Sequence, residues 1–305
     1  MRELCVDLAQ ALRDEVHPHL GAHAARAHAG EASGGDVTFA IDARAEARME
    51  GFLAERAPEV AFYSEDRGMV APGGDPEWVL VVDPIDGTRP ALAGLESCCV
   101  SVAAAPLDGE PTIGDVRVGV ITEIRSGTSF VAERGGGVAP TPALSANTAI
   151  ERMFWTYGFR GRPARLLVEV LAELIDASSV GGATFDLGSA TYDMTRILTG
   201  QLDAYVEPGP RIVDEVAGAR EQFERVGGGA VLNNSPYDLA AAVLCLEEGG
   251  ALVTDAHGRG IGDRPLLGSD HEFQISCVAA ANRELHALIC GAIDEGIGRL
   301  AGQRR

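Results

Sequence analysis

The chain has 305 residues, of which 46% are hydrophobic and 23% charged, a composition typical of a globular protein with a large buried core. Its formal net charge of −20 argues against non-specific binding to nucleic acid polymers and to anionic membrane surfaces. Binding of an anionic ligand would therefore depend on local positive charge.

Two helices are predicted at the start of the chain. The first begins at the N-terminus, and its apolar face comprises Leu4, Leu8, Leu12 and Val16. Charges are spread through this segment, so neither a signal peptide nor a membrane span is predicted. The second helix covers residues 42–52, after a Gly-rich link. The six cysteines lack the spacing of a zinc site, and we expect buried thiols in a reducing cytoplasm.

Residues 59–138 are predicted to form strands, with one short helix after Thr88. The apolar run at residues 78–82 is typical of a buried strand. Asp83 and Asp86 follow it directly, at the end of a strand where α/β folds place their ligands. Across a turn, both carboxylates can direct oxygens into one space. Carboxylate and carbonyl oxygens are the ligands that Mg²⁺ prefers, so a metal site is predicted here.

The remaining residues of the motif Asp-Pro-Ile-Asp-Gly-Thr suit a phosphate beside the metal. Ile85 would contribute its backbone carbonyl, and Gly87 lets the backbone approach a ligand closely. The amides of Gly87 and Thr88 would open a helix whose N-terminus favours a phosphate. For this motif alone, a turn with solvated acids is the alternative, because turns favour the same residues.

Acids occupy comparable positions in three other segments. Glu65 ends an apolar run, Asp238 begins a helix of small residues, and Asp42 follows the segment that starts at Gly35 and Asp36. Together and in this order, the four segments resemble the inositol monophosphatase family of Mg²⁺-dependent, lithium-sensitive phosphatases. A haloacid dehalogenase-type phosphatase also carries Asp-Gly-Thr. In that class of phosphatase, one residue separates the two acids of the motif, whereas in this chain two residues lie between Asp83 and Asp86.

The resemblance extends over nearly the whole chain. Residues 119–121 and 132–137 are similar to the hairpin that follows the family's metal motif, and residues 187–190 and 200–205 are similar to its second-half signature. Helices are also predicted for residues 163–177 and 189–199 and for the C-terminus, where Asn282 is the expected N-cap.

The resemblance implies an α/β (α+β) fold, a layered αβαβα sandwich of the inositol monophosphatase and fructose-1,6-bisphosphatase type. Residues 1–145 would form an N-terminal half that carries Asp42, Glu65 and the metal motif. Residues 146–305 would form a C-terminal half that carries Asp238 and the substrate pocket. A homodimer is also implied.

Roles for individual residues follow from the same resemblance. About two to three Mg²⁺ ions would be bound by Glu65, Asp83, the Ile85 carbonyl, Asp86 and Asp238. Asp42, Glu65 and Thr88 would orient the attacking water. Substrate contacts are implied for Ile85, Asp86, Gly87, Thr88, Gly188, Ser189, Ala190, Glu207 and Asp238.

From the residues alone, some of these residues could instead have a purely structural or solvent-exposed role. Asp42 could act only as a helix cap. Ser189 and Ala190 could only permit close helix packing, and Glu207 could be a solvated acid at the end of a strand.

The predicted reaction is hydrolysis of a phosphate monoester by metal-activated water, without a covalent intermediate. Inositol monophosphate or a similar polyol or sugar phosphate is the leading substrate. Fructose 1,6-bisphosphate, a 3′-phosphonucleotide and histidinol phosphate stay open as alternatives, and a non-catalytic metal-binding regulator is a remote one.

Departures from the family pattern limit the substrate assignment. Arg89 and Pro90 follow the Gly-Thr pair, and Phe185 and Asp186 replace a position where relatives often carry arginine. Residues 208–236 form a longer connection than the family usually has. Because this segment joins Glu207 to Asp238, we predict that it borders the mouth of the active site. Its residues 212–226 are potentially helical.

Overall fold

The computed structural model describes residues 1–32 and 37–302, so Gly35 and Asp36 lie outside the described residues. The helices are α1 (Arg2–Val16), α2 (Ala40–Arg56), α3 (Thr88–Ala93), α4 (Ala164–Ala177), α5 (Ala190–Leu198), α6 (Gly209–Glu215), α7 (Ala219–Val226), α8 (Pro236–Glu248) and α9 (Arg283–Gly302).

Along the chain, the described strands lie between α1 and α9. They are β1 (His28–Glu31), β2 (Val37–Phe39), β3 (Ala61–Ser64), β4 (Gly68–Val70), β5 (Trp78–Asp86), β6 (Cys99–Pro106), β7 (Val118–Glu123), β8 (Ser129–Glu133), β9 (Gly137–Ala139), β10 (Phe154–Thr156), β11 (Ala183–Phe185), β12 (Ala204–Glu207), β13 (Leu252–Thr254) and β14 (Cys277–Ala280).

Two large sheets organise the described residues. The first has the strand order β4-β3-β5-β6-β7-β8-β9, in which β3 and β5 are parallel and the other pairs antiparallel. The second has the order β11-β10-β12-β14-β13. β1 and β2 pair separately. Each large sheet takes its strands from one of the predicted halves, although the boundary at residue 145 stays a prediction.

Successive side chains of the central strands point to opposite faces, so the first sheet has a hydrophobic core on each face. Val79 and Val81 of β5 enter the core between the two sheets, whereas Leu80 and Val82 enter the core beneath α1 and α2. β14 divides its side chains in the same way between the inner core and a third core beneath α4 and α9. Strands buried on both faces read as continuous apolar runs, which is why the sequence revealed them.

The layers follow from these cores. α1 and α2 cover the outer face of the first sheet, α5 and α8 lie between the sheets, and α4 and α9 cover the outer face of the second. This arrangement confirms the predicted αβαβα sandwich. In the described ranges, no helix combines the length and the apolar composition needed to cross a bilayer. All six cysteines are free thiols.

Most predicted helices are present with small shifts at their ends. Ser189 is the N-cap of α5, where its side chain accepts a hydrogen bond from the amide of Tyr192. Asn282 Oδ1 accepts one from the amide of Leu285 at 3.0 Å, as expected for the N-cap of α9. The predicted helix at residues 212–226 is instead two helices, α6 and α7. Gly218, with φ +68°, separates them in the left-handed conformation that glycine favours.

Candidate active site

A bulge in β5 brings the two carboxylates of the metal motif to one face of the sheet. Asp83 pairs with Ser101 and Asp86 pairs with Cys99, so β5 has one residue more than β6 between these pairs. Without the extra residue, positions three apart would point to opposite faces of the strand. With it, both carboxylates point toward the space between the two sheets.

α8 supplies a third carboxylate from the opposite side. Asp238 is the third residue of this helix, and its Oδ2 accepts a hydrogen bond from the Ser235 amide at 2.7 Å. Thr191 Oγ1 donates to the Asp238 carbonyl at 3.0 Å and so joins α5 to the same corner. Asp83, Asp86 and Asp238 each offer one oxygen, and these oxygens lie within 4.8 Å of one another.

The charges of this cluster fit a divalent cation. Burial raises the pKa of Asp83 well above its usual range, and the charges of Glu65, Asp86 and Asp238 raise it further. Burial and the charge of Asp86 raise the pKa of Asp238 to about 8. Buried carboxylates that repel one another in this way are stabilised by a bound cation. Hard oxygen donors suit Mg²⁺ in particular.

Hydrogen bonds from α5 fix the orientation of Asp86. Its Oδ2 accepts from the Ser189 hydroxyl at 2.8 Å and from the Thr191 amide at 2.5 Å. The Ser189 hydroxyl is thereby committed to Asp86, while Gly188, Ser189 and Ala190 line the adjoining cavity. α5 therefore links the predicted substrate pocket to a predicted metal ligand.

Asp42 contacts Thr88 and also caps α2. Asp42 Oδ2 accepts from the Phe39 amide at 2.8 Å, and Thr88 Oγ1 lies 3.0 Å from Asp42 Oδ1. Thr88 Oγ1 also lies 3.1 Å from the carbonyl oxygen of Ile85. The predicted cap and the predicted contact with Thr88 thus coexist, because each uses a different oxygen of Asp42.

The turn between the metal motif and α3 requires glycine. Gly87 has φ +89°, and a Cβ there would lie 2.5 Å from the Ser97 carbonyl oxygen and 2.9 Å from the Ser189 Cβ. Any side chain would displace either the loop before β6 or the start of α5. Gly87 therefore permits the close packing that brings Asp86 and Ser189 together.

Glu65 lies in the turn after β3, between two small cavities. It lines one with Asp42, Asp83 and Ile85, and the other with Asp238. Its charge contributes to the raised pKa of Asp83. The structure thus brings every predicted metal ligand to one corner of the fold.

Glu46 is a member of this corner that the sequence prediction missed. It is 2% exposed, and it accepts hydrogen bonds from the Ser64 hydroxyl at 2.9 Å and the Asp66 amide at 3.4 Å. Both donors flank Glu65, so Glu46 fixes the turn that carries it. Because Glu46 follows Asp42 by four residues on α2, helical spacing could have identified it.

The pKa of Glu46 leads to a prediction about stability. Burial raises this pKa from its usual value near 4.5 to about 7, so the folded protein holds the proton more tightly than the unfolded chain. The resulting contribution to stability is complete below about pH 4.5 and is lost as the pH rises through 7. Glu46→Gln, which cannot ionise, should therefore gain stability over wild type by roughly 3 kcal/mol between pH 4 and pH 8.

Urea unfolding of both proteins at pH 5 and pH 8, with chelator present, measures this effect. Glu55→Gln is the matched control, because Glu55 is exposed on the same helix. A Glu46→Gln difference from wild type that is equal at both pH values would contradict the assignment.

Glu207, predicted to contact substrate, is 1% exposed and forms an ion pair with Arg162. Its Oε1 also accepts from the Gly209 amide at 2.8 Å. The carboxylate therefore contacts protein, while Arg162 is the member of the pair that lines the cavity beside Asp86. Burial raises the pKa of Glu207, and the Arg162 charge opposes this rise.

The end of the 208–236 segment borders this cavity. Asn233 and Asn234 line it, and they accept hydrogen bonds from the Arg162 guanidinium at 3.3 and 3.4 Å. Arg162 also donates to the Arg160 carbonyl at 3.0 Å. α6 and α7 pack instead on the outer core near α9, so only the end of the segment borders the cavity.

Comparison with known proteins agrees with this geometry. A family model described as the inositol monophosphatase family matches residues 1–297. The chain belongs to the inositol monophosphatase family. It is 26% identical over 303 residues to the fructose-1,6-bisphosphatase/inositol-1-monophosphatase of Methanothermobacter thermautotrophicus, covering 95% of each chain.

Other members of the inositol monophosphatase family support the same placement. The chain is 28% identical over 231 residues to the inositol-1-monophosphatase of Mesorhizobium japonicum, covering 73% of this chain and 74% of the relative. The IMPase of Thermotoga maritima superposes with a TM-score of 0.70 at 18% identity, over 98% of both chains, which establishes the shared fold. Family membership makes the chain a phosphoric monoester hydrolase.

Proposed function

We propose that this chain hydrolyses the phosphate monoester of a small hydroxylated alcohol, of the polyol or sugar type, in a Mg²⁺-dependent reaction. The observation that carries the proposal is the convergence of Asp83, Asp86 and Asp238, whose oxygens lie within 4.8 Å of one another. Glu65 lies beside them and completes a donor set of hard oxygens.

Glu65, Asp83, the Ile85 carbonyl, Asp86 and Asp238 are the residues that would hold Mg²⁺. When bound, the metal supplies charge neutralisation at the phosphoryl oxygens and lowers the pKa of water. α5 and the Ser235 amide preorganise this set, since they fix Asp86 and Asp238 in place. Preorganised ligands cost little reorganisation when substrate arrives.

Thr88 and Asp42 would position the attacking water. The Thr88 hydroxyl donates a hydrogen bond to Asp42 Oδ1. The lone pairs of Thr88 Oγ1 therefore stay available to accept a hydrogen bond from water. Glu65, which lines a small cavity together with Asp42, would accept a second hydrogen bond from that water. The amides of Gly87 and Thr88 would donate to the phosphate.

The alcohol would leave toward the cavity that Gly188, Ser189 and Ala190 line. The relative from Methanothermobacter thermautotrophicus is named for both a sugar bisphosphate and an inositol phosphate. This dual name supports a polyol or sugar phosphate as the substrate class. The homodimer and the cytoplasmic location stay predictions, and analytical ultracentrifugation tests the homodimer.

Phosphate release from a panel of monoesters tests the proposal. The panel contains inositol 1-phosphate, fructose 1,6-bisphosphate, a 3′-phosphonucleotide and histidinol phosphate, each with Mg²⁺ and with chelator. We expect Mg²⁺-dependent release from at least one ester and uncompetitive inhibition by Li⁺. Release that is unaffected by chelator would contradict the metal assignment, and no release from any ester would favour the non-catalytic alternative.

A further inference from the structure

We propose that Arg89 is a positioning residue of the proposed phosphatase, and that it keeps Thr88 and Asp42 in contact. Arg89 acts through the aromatic ring of Phe39. This inference rests on the proposed function, in which Thr88 and Asp42 position the attacking water. Arg89 follows Thr88 directly at the start of α3, and Phe39 ends β2, three positions before Asp42.

A cation–π contact joins the two segments that carry this pair. The guanidinium carbon of Arg89 lies over the ring of Phe39, 5.5 Å from the ring centroid. This distance is within the range of about 6 Å over which the face of an aromatic ring attracts a cation. Both side chains are half-buried, so water weakens the attraction less than it would on an open surface. Arg89 therefore holds the end of β2 against the start of α3.

The backbone of Phe39 transmits this contact to Asp42. The Phe39 amide donates a hydrogen bond to Asp42 Oδ2 at 2.8 Å, while Asp42 Oδ1 accepts from the Thr88 hydroxyl at 3.0 Å. Because Thr88 and Arg89 are neighbours in the chain, these contacts form a closed ring of four residues. A displacement of Phe39 would move one donor of the Asp42 carboxylate and turn its other oxygen away from Thr88.

Other contacts of β2 would keep the segment folded without Arg89. The Thr38 hydroxyl donates to Asp66 Oδ1 at 2.6 Å, which ties β2 to the turn that follows β3. The rings of His28 and Phe39 pack at 85° to each other, with their centroids 5.3 Å apart. We therefore expect loss of the Arg89 guanidinium to shift Phe39 locally, and to impair turnover more than folding.

A positioning role differs in its kinetics from direct binding of substrate. A guanidinium that bound an anionic group of the substrate would lower affinity when removed, whether or not Thr88 carried its hydroxyl. A residue that acts through Thr88 instead lowers the rate of the chemical step. Its removal has no further effect once the Thr88 hydroxyl is absent, because the two changes then affect one interaction.

Steady-state kinetics of Arg89→Gln test the inference, with the ester of the panel that releases phosphate fastest. We expect kcat to fall by about 2–30-fold, the factor that corresponds to a partly buried cation–π contact. KM and the Mg²⁺ concentration for half-maximal rate should change little. Arg89→Lys keeps a cation near the ring, so its kcat should lie closer to wild type than that of Arg89→Gln.

Two double variants locate the effect. In the Thr88→Ala background, Arg89→Gln should cause no further loss of kcat. Phe39→Leu should lower kcat as Arg89→Gln does, and the variant with both changes should be no slower than Phe39→Leu alone. Equal fold losses from Arg89→Gln with and without the Thr88 hydroxyl would overturn the inference, and so would a raised KM at unchanged kcat.

Arg48→Gln is the matched control. Arg48 is exposed on α2 and lies over the Phe52 ring at 5.9 Å, so this change removes a similar contact elsewhere on the helix that carries Asp42. Its kcat should equal that of wild type. A loss as large as that of Arg89→Gln would assign the effect to α2 as a whole and overturn the inference.

Crystal structures of the same variants give a readout that does not depend on activity. In Arg89→Gln the distance from Thr88 Oγ1 to Asp42 Oδ1 should lengthen beyond hydrogen-bond range, roughly 3.2 Å. In Arg48→Gln it should match wild type. An unchanged distance in Arg89→Gln would overturn the inference. Absence of phosphate release from every ester by the wild-type protein would count against the proposed function instead.

Discussion

Asp238→Asn is expected to lower kcat by on the order of 10²–10⁴-fold while the protein stays folded, since a catalytic metal contributes several kcal/mol to transition-state stabilisation. The substitution removes a charged ligand with almost no change in volume. In the absence of metal it also removes one of the repelling charges that raise the pKa of Asp83. The metal-free variant should therefore unfold at the same temperature as wild type or at a higher one.

Steady-state rates across a range of Mg²⁺ concentrations, together with thermal unfolding, measure both effects. Asp86→Asn should lower kcat to a similar extent, but it also perturbs the hydrogen bonds from Ser189 and Thr191. Asp108→Asn serves as the control for a lost surface charge, because Asp108 is exposed on the loop after β6. Wild-type kcat for Asp238→Asn at saturating Mg²⁺ would remove Asp238 from the metal site.

Thr88→Ala is expected to lower kcat by on the order of 10²–10³-fold, with little change in the Mg²⁺ concentration that gives half-maximal rate. The hydroxyl that contacts Asp42 Oδ1 at 3.0 Å would position water and does not belong to the metal-binding carboxylates. Loss of a group that orients a reactant lowers the rate of the chemical step.

Thr88→Ser provides the matched comparison, because it keeps the hydroxyl and removes only a methyl group. Its kcat should lie within about tenfold of wild type, as expected when the oriented hydroxyl is retained. A shift in Mg²⁺ dependence for Thr88→Ala, at unchanged kcat, would instead reassign Thr88 to the metal site.

The sequence predicted the strand and the short helix at the candidate metal corner, because these elements depend on local patterns. An apolar run ending in two carboxylates predicts a strand with a site at its end, and the residues after it predict a short helix. The bulge between Asp83 and Asp86 was not predicted, since it depends on how β5 pairs with β6. The sequence analysis expected a turn to bring the two carboxylates together, whereas in the structure β5 continues to Asp86 and the bulge brings them together.

The leaving-group side was less predictable because it depends on contacts between distant segments. Glu207 was expected at the substrate, but Arg162 pairs with it across 45 positions of the chain. The same arginine binds Asn233 and Asn234 at the end of the 208–236 segment. Such a buried polar network has no periodic signal in the sequence, and tertiary packing alone assembles it.

Asp193 illustrates the same limit. In the sequence it is one acid on an amphipathic helix, where a solvated position would be the ordinary expectation. In the structure its helix is packed between the two sheets, and the buried carboxylate faces a cavity.

Anomalous diffraction from crystals grown with Mn²⁺ tests the central claim most directly, because Mn²⁺ prefers the same oxygen ligands as Mg²⁺ and can be located by its scattering. The structure leads us to expect one anomalous peak among the carboxylates of Asp83, Asp86 and Asp238 and a second between Glu65 and Asp83. The absence of any peak at this corner, with Mn²⁺ and phosphate in excess, would contradict the assignment of these residues as the catalytic metal site.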